Sequence, residues 1–541
     1  KLKKRSISAM PTIKIDDVEY DVEAGQNLIQ AAASVGITIP HYCYHPGLSV
    51  SGNCRMCLVE QKGPRGTMAT IACNTFVNDG MEFLVDNDNV KKMRQGVMEF
   101  LLLNHPIDCP ICDQAGECGL QDYYMDYGLY TNRSTVPKVH KAKAVDVGPL
   151  VKLDQERCIL CSRCVRFCDE ITGTNELVIT QRGEKSRIET FPGRELDNPY
   201  SANVVDICPV GALTSKDFRF KKRVWFLSTT QSICTGCAKG CNTYLDFEQG
   251  TTYRYRPRFN AEVNEWWMCD EGRLSYKALH QDRLDIAMQK GAELSLAKAV
   301  AAGADLIQRT MQDHGKNAVL AVASSTASLE DNFMLKHLML QALGSEAVYS
   351  HNYDHIGEAD AFLRMADKTP NTAGLQLLNI STDKEALESA LANPEIKLVI
   401  SLDADSDALR QQLKNTPVIY LGVHQTALAL SADVTLPITA HAEHDACYVN
   451  AEQRLQKVNQ AYFPTTEARP AWKLISGLFA PLLTAPPLYD DVEDVWSLMN
   501  TKVDALSALT FYEIPEGGRS LIPVSEPEAE TPSEAEEAVN S

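Results

Sequence analysis

Sixteen of the 17 cysteines in this chain fall between Cys43 and Cys269, many in C-x2-C units, and only Cys447 stands apart. A disulfide framework is the ordinary reading of many cysteines, but it belongs to small secreted domains. The N-terminal stretch carries no secretory signal, because Lys1–Arg5 is basic and Ser6–Thr12 supplies no apolar run. Repeated C-x2-C units outside that setting read as metal ligands. The question is which metal.

The first set is Cys43, Cys54, Cys57 and Cys73, spaced C-x10-C-x2-C-x15-C. Around it, Thr12–Val22 reads as a hairpin turning at Asp16-Asp17. A short helix follows, with Leu28, Ala32 and Val35 on one face and Gly36 as its stop, and strand-like pieces lie at Met68–Thr75 and Met81–Val85. This pattern predicts a β-grasp module. Four thiolates on such a module suit a [2Fe–2S] cluster, although plant-type ferredoxins space their cysteines differently. A structural zinc site is the alternative.

From Asp88 a helix is expected, with Val90, Met93, Val97 and Leu101 at helical spacing, ending before His105-Pro106. The second set follows in HPIDCPICDQAGECGLQ: His105, Cys109, Cys112 and Cys118. So short a segment leaves little room for a packed core, so a metal must organise it. A zinc site of three cysteines and one histidine is the alternative here. The third set is Cys158, Cys161, Cys164 and Cys168 in C-x2-C-x2-C-x3-C, with Cys208-Pro209 further on. That run is the bacterial ferredoxin type, in which three cysteines and a remote Cys-Pro hold one [4Fe–4S] cluster. Cys158, Cys161, Cys164 and Cys208 are therefore the expected ligands, and Cys168 is left over. The fourth set, Cys234, Cys237, Cys241 and Cys269, has ligand-like spacing that fits a further [4Fe–4S] cluster or zinc. Cys168 and Cys447 are unassigned.

Beyond residue 283 the texture changes to alternating strand and helix. Ala318–Ala323, Lys397–Leu402 and Val418–Leu421 read as strands, and Ser328 with Asp331 as a capping box opening a helix that ends at Gly344. This predicts a parallel α/β sheet. From Glu513 the chain is rich in Pro and Glu and reads as a disordered acidic tail. Residues 1–280 carry 34 Lys+Arg and 34 Asp+Glu, which leaves 18 and 37 for residues 281–541, so the whole net charge of −19 lies in the second half. An acidic half argues against nucleic acid as a partner. The longest apolar stretch, Leu478 to Tyr489, holds three prolines and is too short to span a bilayer.

The order of a β-grasp module, HPxDCPxCDxxGECxLQ, RCILCSRCVRFCDE, ICPVGAL and C-x2-C-x3-C-x27-C resembles the large iron–sulfur subunits of bacterial proton-pumping NADH:quinone oxidoreductase, respiratory complex I. The likeness covers residues 10–283. It continues through ADVTLPITAHAEHDACYVNAEQRLQ, which is similar to the molybdopterin-oxidoreductase domain that ends those subunits. The resemblance implies a multidomain α+β and α/β chain. Its expected parts are a β-grasp 2Fe-2S domain at 10–90, a His/Cys-ligated 4Fe-4S domain at 91–145 and a ferredoxin-like 4Fe-4S domain at 146–226. A 4Fe-4S domain of molybdopterin-oxidoreductase type follows at 227–283, a shortened α/β domain at 284–512 and the acidic tail at 513–541. Met10-Pro11 reads like a natural start, with residues 1–9 as an extension.

The resemblance also implies a role. The cofactors are one [2Fe–2S] and three [4Fe–4S] clusters, with no molybdopterin because the α/β part is shortened. Single electrons come from an FMN-containing, NADH-oxidising subunit and pass the first set, then the Cys158 set, then the His105 set, toward quinone. The Cys234 set lies off that path. Other expected partners are a thioredoxin-like 2Fe-2S subunit and quinone-proximal subunits. The chain itself lacks a G-x-G-x-x-G dinucleotide fingerprint. It is expected at the cytoplasmic face of the inner membrane, reaching the membrane only through partners. Three rivals stand beside this reading. A formate dehydrogenase subunit needs a larger pterin domain and a metal-ligating cysteine, and none occurs between Cys269 and Cys447. A zinc-stabilised scaffold would be colourless. An iron-only hydrogenase needs a further cysteine-rich domain.

Overall fold

The computed structural model describes residues 10–351 and 355–522, and these divide into two compact units. One holds the described residues up to Thr229 together with Leu245–Tyr276; the other holds Thr230–Tyr244 and those from Lys277 onward. The domain expected over 227–283 is therefore shared between two units, because its two parts pack into different bodies.

In the first unit, β1 (Thr12–Ile15), β2 (Val18–Asp21), β3 (Leu58–Gly63), β4 (Gly66–Ile71) and β5 (Glu82–Leu84) form one sheet in the order β2-β1-β5-β3-β4. The β1–β2 hairpin turns at Asp16 and Asp17, both at positive φ (48° and 67°), the conformation that two-residue hairpin loops favour. Asp16 Oδ1 also accepts from the Val85 amide at 2.7 Å, tying the turn to the end of β5. Helix α1 (Leu28–Ser34) opens with a capping box between Asn27 and Gln30. It buries Leu28, Ile29, Ala31 and Ala32 in a core with Ile13, Ile15, Val59 and Phe83. Strand β3 has no counterpart in the sequence reading, since Glu60, Gln61 and Lys62 break the apolar alternation; it is held by β4 on one side and β5 on the other. The strand expected at Met68–Thr75 stops at Ile71, and a 3-10 turn, Ala72–Asn74, carries Cys73.

Helix α2 (Asp88–Leu102) starts where expected, with Asn87 accepting from the Val90 amide at 2.9 Å. Its inward stripe differs, for Val90, Arg94 and Met98 are the buried residues. Arg94 is accepted there because its guanidinium donates to Tyr127 Oη at 3.0 Å and to the Leu58 carbonyl at 3.3 Å; a buried charge is tolerable only when paired.

In the second unit a seven-stranded sheet runs Ala292–Leu294, Ala287–Gln289, Val434–Pro437, Val418–Gly422, Leu398–Leu402, Val319–Ala323, Val348–Ser350. The last five pair in parallel, and the Val319, Leu398 and Val418 strands are buried end to end, as a sheet covered by crossover helices requires. In chain order the parallel strands lie 2-1-3-4-5, so the order reverses between the Val319 and Leu398 strands. The helix Leu329–Leu338 opens with the Ser328–Asp331 capping box and runs through a π turn to Gly344. Strands Ala446–Val449 and Arg454–Val458 pair antiparallel, and Arg519–Ser520 joins them. The segment expected as a tail from 513 thus begins with Ile514 buried and Arg519 paired to Leu455, partners that a Pro- and Glu-rich composition does not reveal. Residues 1–9 and 523–541 lie outside the described residues. Among the described residues no helix is long and apolar enough to cross a membrane.

Glu330 is fully buried in this unit. Its Oε2 accepts from the Cys447 amide at 3.0 Å and its Oε1 from Trp496 Nε1 at 2.8 Å. Burial pushes its carboxyl up to about 7. The unfolded carboxyl ionises near ~4.3, so the folded chain binds more protons between those values, and stability falls by about 3 kcal/mol as pH rises through them. Glu330→Gln cannot ionise, and its amide turns a donor toward a donor. It should be about 1–3 kcal/mol less stable than the parent below pH 5, with the gap closing toward pH 8. Thermal melts across that range decide, and a gap independent of pH would refute the buried carboxyl's raised value.

Candidate metal centres

The first set lies on the irregular loop between α1 and β3 and on the turn after β4. Cys43, Cys57 and Cys73 are buried, Cys54 is half-buried, and none is in a disulfide. The thiols fall into two pairs: Cys43 bonds Cys54, whose Sγ also accepts the Cys43 amide at 3.4 Å, and Cys57 bonds Cys73. The shared hydrogen bond lets one thiol of each pair ionise first. It draws Cys43 down to about 5 and lowers Cys57, while Cys54 and Cys73 are raised. Two thiols per metal atom is the division a two-iron cluster requires, whereas one zinc ion would gather all four.

The second set begins where α2 ends. Cys109 opens a 3-10 turn, Cys109–Ile111, and Cys118 precedes helix α3 (Gly119–Tyr127). His105, Cys109 and Cys118 line one cavity of about 360 Å³ with Leu102, Leu120 and Tyr124. That is room for a group of several atoms, against the ~30 Å³ share of a water. His105 Nδ1 is buried with no partner, and burial pulls the imidazole down to about 4, so it is neutral, the form that ligates metal. Cys112 is not among the lining residues; its Sγ lies against Gly211. A methyl at Gly211 would overlap that sulfur and press Gln114 Cβ at 3.0 Å. Gly211→Val should therefore push Cys112 aside and lower bound iron by about four atoms per chain. Iron analysis beside far-UV circular dichroism tests this, and unchanged iron would mean that Cys112 holds none.

The third set is the most compact. Cys158, Cys161, Cys164 and Cys208 all line one cavity, closed by Leu153, Ile188, Val210 and Leu213. Burial raises each thiol, Cys158 to about 12 and Cys161 to about 11, so only a bound cation makes the thiolates affordable there. Cys168 is elsewhere. It sits fully buried in a π turn, Phe167–Ile171, with its carbonyl accepting from the Thr174 and Asn175 amides at 2.8 and 3.0 Å.

Arginines that the sequence reading passed over join these three sets. Arg157 donates to both Asp108 oxygens, at 3.2 and 2.7 Å, linking the residue before Cys158 to the residue before Cys109. The Gly119 amide donates to the Pro209 carbonyl at 3.0 Å, linking Cys118 to Cys208. Arg166 donates to the Cys43 carbonyl at 2.5 Å, and Arg163 bridges the carbonyls of Tyr44 and Ile207. Tyr42 also packs toward Gly119. The only signal in the sequence was position, since Arg157, Arg163 and Arg166 are interleaved with the cysteines of the ferredoxin-type run. In the fourth set, Cys234, Cys237 and Cys241 lie in the second unit, with the Cys234 amide donating to the Cys241 carbonyl at 2.7 Å. Cys269 lies in the first unit and caps the helix Asp270–Leu274, its Sγ accepting from the Gly272 amide at 3.2 Å.

A pterin fits the α/β sheet poorly. Ligands of such sheets bind where the strand order reverses, beyond the carboxyl ends of the strands. Here that crevice is bridged by the chain's own groups: Thr326 Oγ1 donates to Asp403 Oδ2 at 2.9 Å, Ser324 and Thr326 share a bond of 2.7 Å, and His351 Nε2 meets Ser406 Oγ at 2.7 Å.

The thiol sets on a β-grasp sheet and a ferredoxin-type loop define an iron–sulfur protein of the electron-carrier class. Family models agree: a 2Fe-2S iron-sulfur cluster binding domain matches residues 8–87, and an NADH-ubiquinone oxidoreductase-G iron-sulfur binding region matches 94–133. An NADH-quinone oxidoreductase subunit 3 ferredoxin-like domain matches 148–214, and a molybdopterin oxidoreductase domain matches 371–480. The chain is a homologue of the large iron–sulfur subunit of NADH-quinone oxidoreductase, the one designated G. It is 42% identical to the NADH-quinone oxidoreductase protein of that designation from Rickettsia felis over 351 residues, 64% of this chain and 51% of the relative. It is 40% identical to the NADH-ubiquinone oxidoreductase 75 kDa subunit of Reclinomonas americana over 344 residues, 63% of this chain and 49% of the relative. The chain thus spans about half the length of the curated relatives it matches. A chain of a solved NAD+-reducing [NiFe]-hydrogenase is 30% identical, covering 40% of this chain and 92% of its own, at a TM-score of 0.36.

Proposed function

We propose that this chain is the electron-transfer subunit of an NADH:quinone oxidoreductase, relaying single electrons from an FMN-containing, NADH-oxidising subunit toward quinone while the whole complex moves protons. In this reading Cys43, Cys54, Cys57 and Cys73 hold a [2Fe–2S] cluster. Three [4Fe–4S] clusters are held by His105, Cys109, Cys112 and Cys118, by Cys158, Cys161, Cys164 and Cys208, and by Cys234, Cys237, Cys241 and Cys269. When bound, each cluster supplies one-electron redox chemistry at a potential set by ligand charge, hydrogen bonds to sulfur and solvent access. The chain's own residues do the rest. The thiols are held by turns and caps rather than by flexible loops, the apolar residues around them exclude water, and the arginines fix the spacing between sets.

One observation carries the order of the relay. The Cys158 set is hydrogen-bonded on one side to residues beside the first set, through Arg163 and Arg166, and on the other to residues beside the second, through Arg157 and Gly119. That supports passage from the first set to the Cys158 set and then to the His105 set, with the Cys234 set off the path. The proposed partners are the NADH-oxidising subunit, a thioredoxin-like 2Fe-2S subunit and quinone-proximal subunits, which would hold the chain at the cytoplasmic face of the inner membrane. The acidic second half offers them electrostatic complementarity. The α/β part is proposed to carry no molybdopterin, since its crevice is bridged by its own side chains.

Metal analysis with low-temperature EPR of the purified assembly tests this. About 14 iron atoms per chain are expected, two from the first set and four from each of the others. Stoichiometric zinc with iron correspondingly low would sink the reading, and molybdenum, tungsten or pterin at near-unit amounts would overturn its last part.

A further inference from the structure

Arg163 lines the same cavity as Cys158, Cys161, Cys164 and Cys208. Two of its nitrogens are committed: Nη1 donates to the Ile207 carbonyl at 3.0 Å and Nη2 to the Tyr44 carbonyl. Those two bonds fix the guanidinium plane and therefore fix Nε. Yet Nε is sealed from solvent and has no partner. Guanidinium N–H groups are donors that never become acceptors, and one left unpaired inside a protein is costly. The two other arginines of this run differ, because Arg157 Nε donates to Asp108 at 3.2 Å and Arg166 Nε to Ser162 at 3.2 Å. Burial opposes the charge on Arg163, and the thiols of Cys161, Cys208 and Cys43 around it favour that charge.

We infer that the Arg163 Nε–H donates to a sulfur of the iron–sulfur group bound by the third set, and so raises that group's reduction potential. The inference rests on the reading of those four cysteines as iron ligands. A hydrogen bond to sulfur and a fixed positive charge both favour the reduced, more negative state. Because the same guanidinium is bonded to the residue after Cys43, the tuning is built into the contact between the two sets. Arg163 is thus a tuning residue as well as a clamp.

The full chain labelled with 15N-arginine, reduced until the ferredoxin-type EPR signal develops, should show by pulsed EPR an arginine nitrogen coupled to that signal, and the coupling should vanish in Arg163→Lys. In redox titrations Arg163→Gln should shift the oxidised-to-reduced ratio of this signal about tenfold at fixed potential, a midpoint about 59 mV lower. Arg163→Lys, which keeps the charge without the donor, should shift it less in the same direction. No coupled arginine nitrogen in the parent overturns the inference, as does an unmoved midpoint in either variant that keeps its iron. Should Arg163→Gln lose iron, the parent coupling and the Lys variant still decide. A parent with no EPR-active iron at this set is a distinct result, which removes the ligand reading itself.

Discussion

His105→Ala should lose or destabilise the group held with Cys109, Cys112 and Cys118, and slow NADH-to-quinone transfer in the assembled complex. The loss should exceed the roughly 10–100-fold that removing an outer-shell partner costs a metal site, because the orphaned Nδ1 is a direct donor into the cavity. His105→Cys should keep a [4Fe–4S] cluster at a lower potential, since a thiolate adds a negative charge where the imidazole is neutral. Redox-titrated EPR of both variants separates this from the plain alternative, in which His105 only ends α2 ahead of Pro106. In that case the alanine variant would keep the parent's spectrum and transfer rate, with a fourth ligand drawn from Asp108, Asp113 or water.

The second large effect concerns the ferredoxin-type set. Cys208→Ala should abolish its EPR signal and about four iron atoms per chain, since Cys208 shares the cavity with Cys158, Cys161 and Cys164. Cys168→Ala should leave iron and spectra unchanged and cost only about 1 kcal/mol of stability, the usual scale for a buried truncation. Cys447→Ala should likewise leave iron unchanged, because Cys447 is fully buried beside Glu330, far from any cysteine in sequence. Loss of the ferredoxin-type signal in Cys168→Ala, with Cys208→Ala intact, would reverse the assignment of the fourth ligand.

What could be read from the sequence alone was local in origin. The ligand sets were legible because a metal site constrains residues a few positions apart, and the capping boxes at Asn27 and Ser328 belong to the same kind of rule, in which a side chain meets a backbone amide three residues on. The parallel sheet was legible because a strand buried on both faces must be a continuous apolar run, as at Val319–Ala323. The remote Cys208 was reachable only because its Cys-Pro pairing is a fixed part of the ferredoxin-type pattern.

Tertiary structure alone decided which partners lie far apart in sequence. Arg157 meets Asp108 across 49 residues, Arg163 meets Tyr44 across 119 and Arg166 meets Cys43 across 123. No periodicity announces such pairs, because an arginine in a loop looks the same whether it faces water or a buried carbonyl. The same holds for Arg94, whose burial in α2 depends on Tyr127, for β3, which exists through its neighbours, and for Gly211, whose missing side chain makes room for the Cys112 sulfur. Ligand spacing and strand patterning are set by forces acting along a few residues of chain. The contacts between the cysteine sets are set by hydrogen bonds and packing that arise only once distant segments have been brought together.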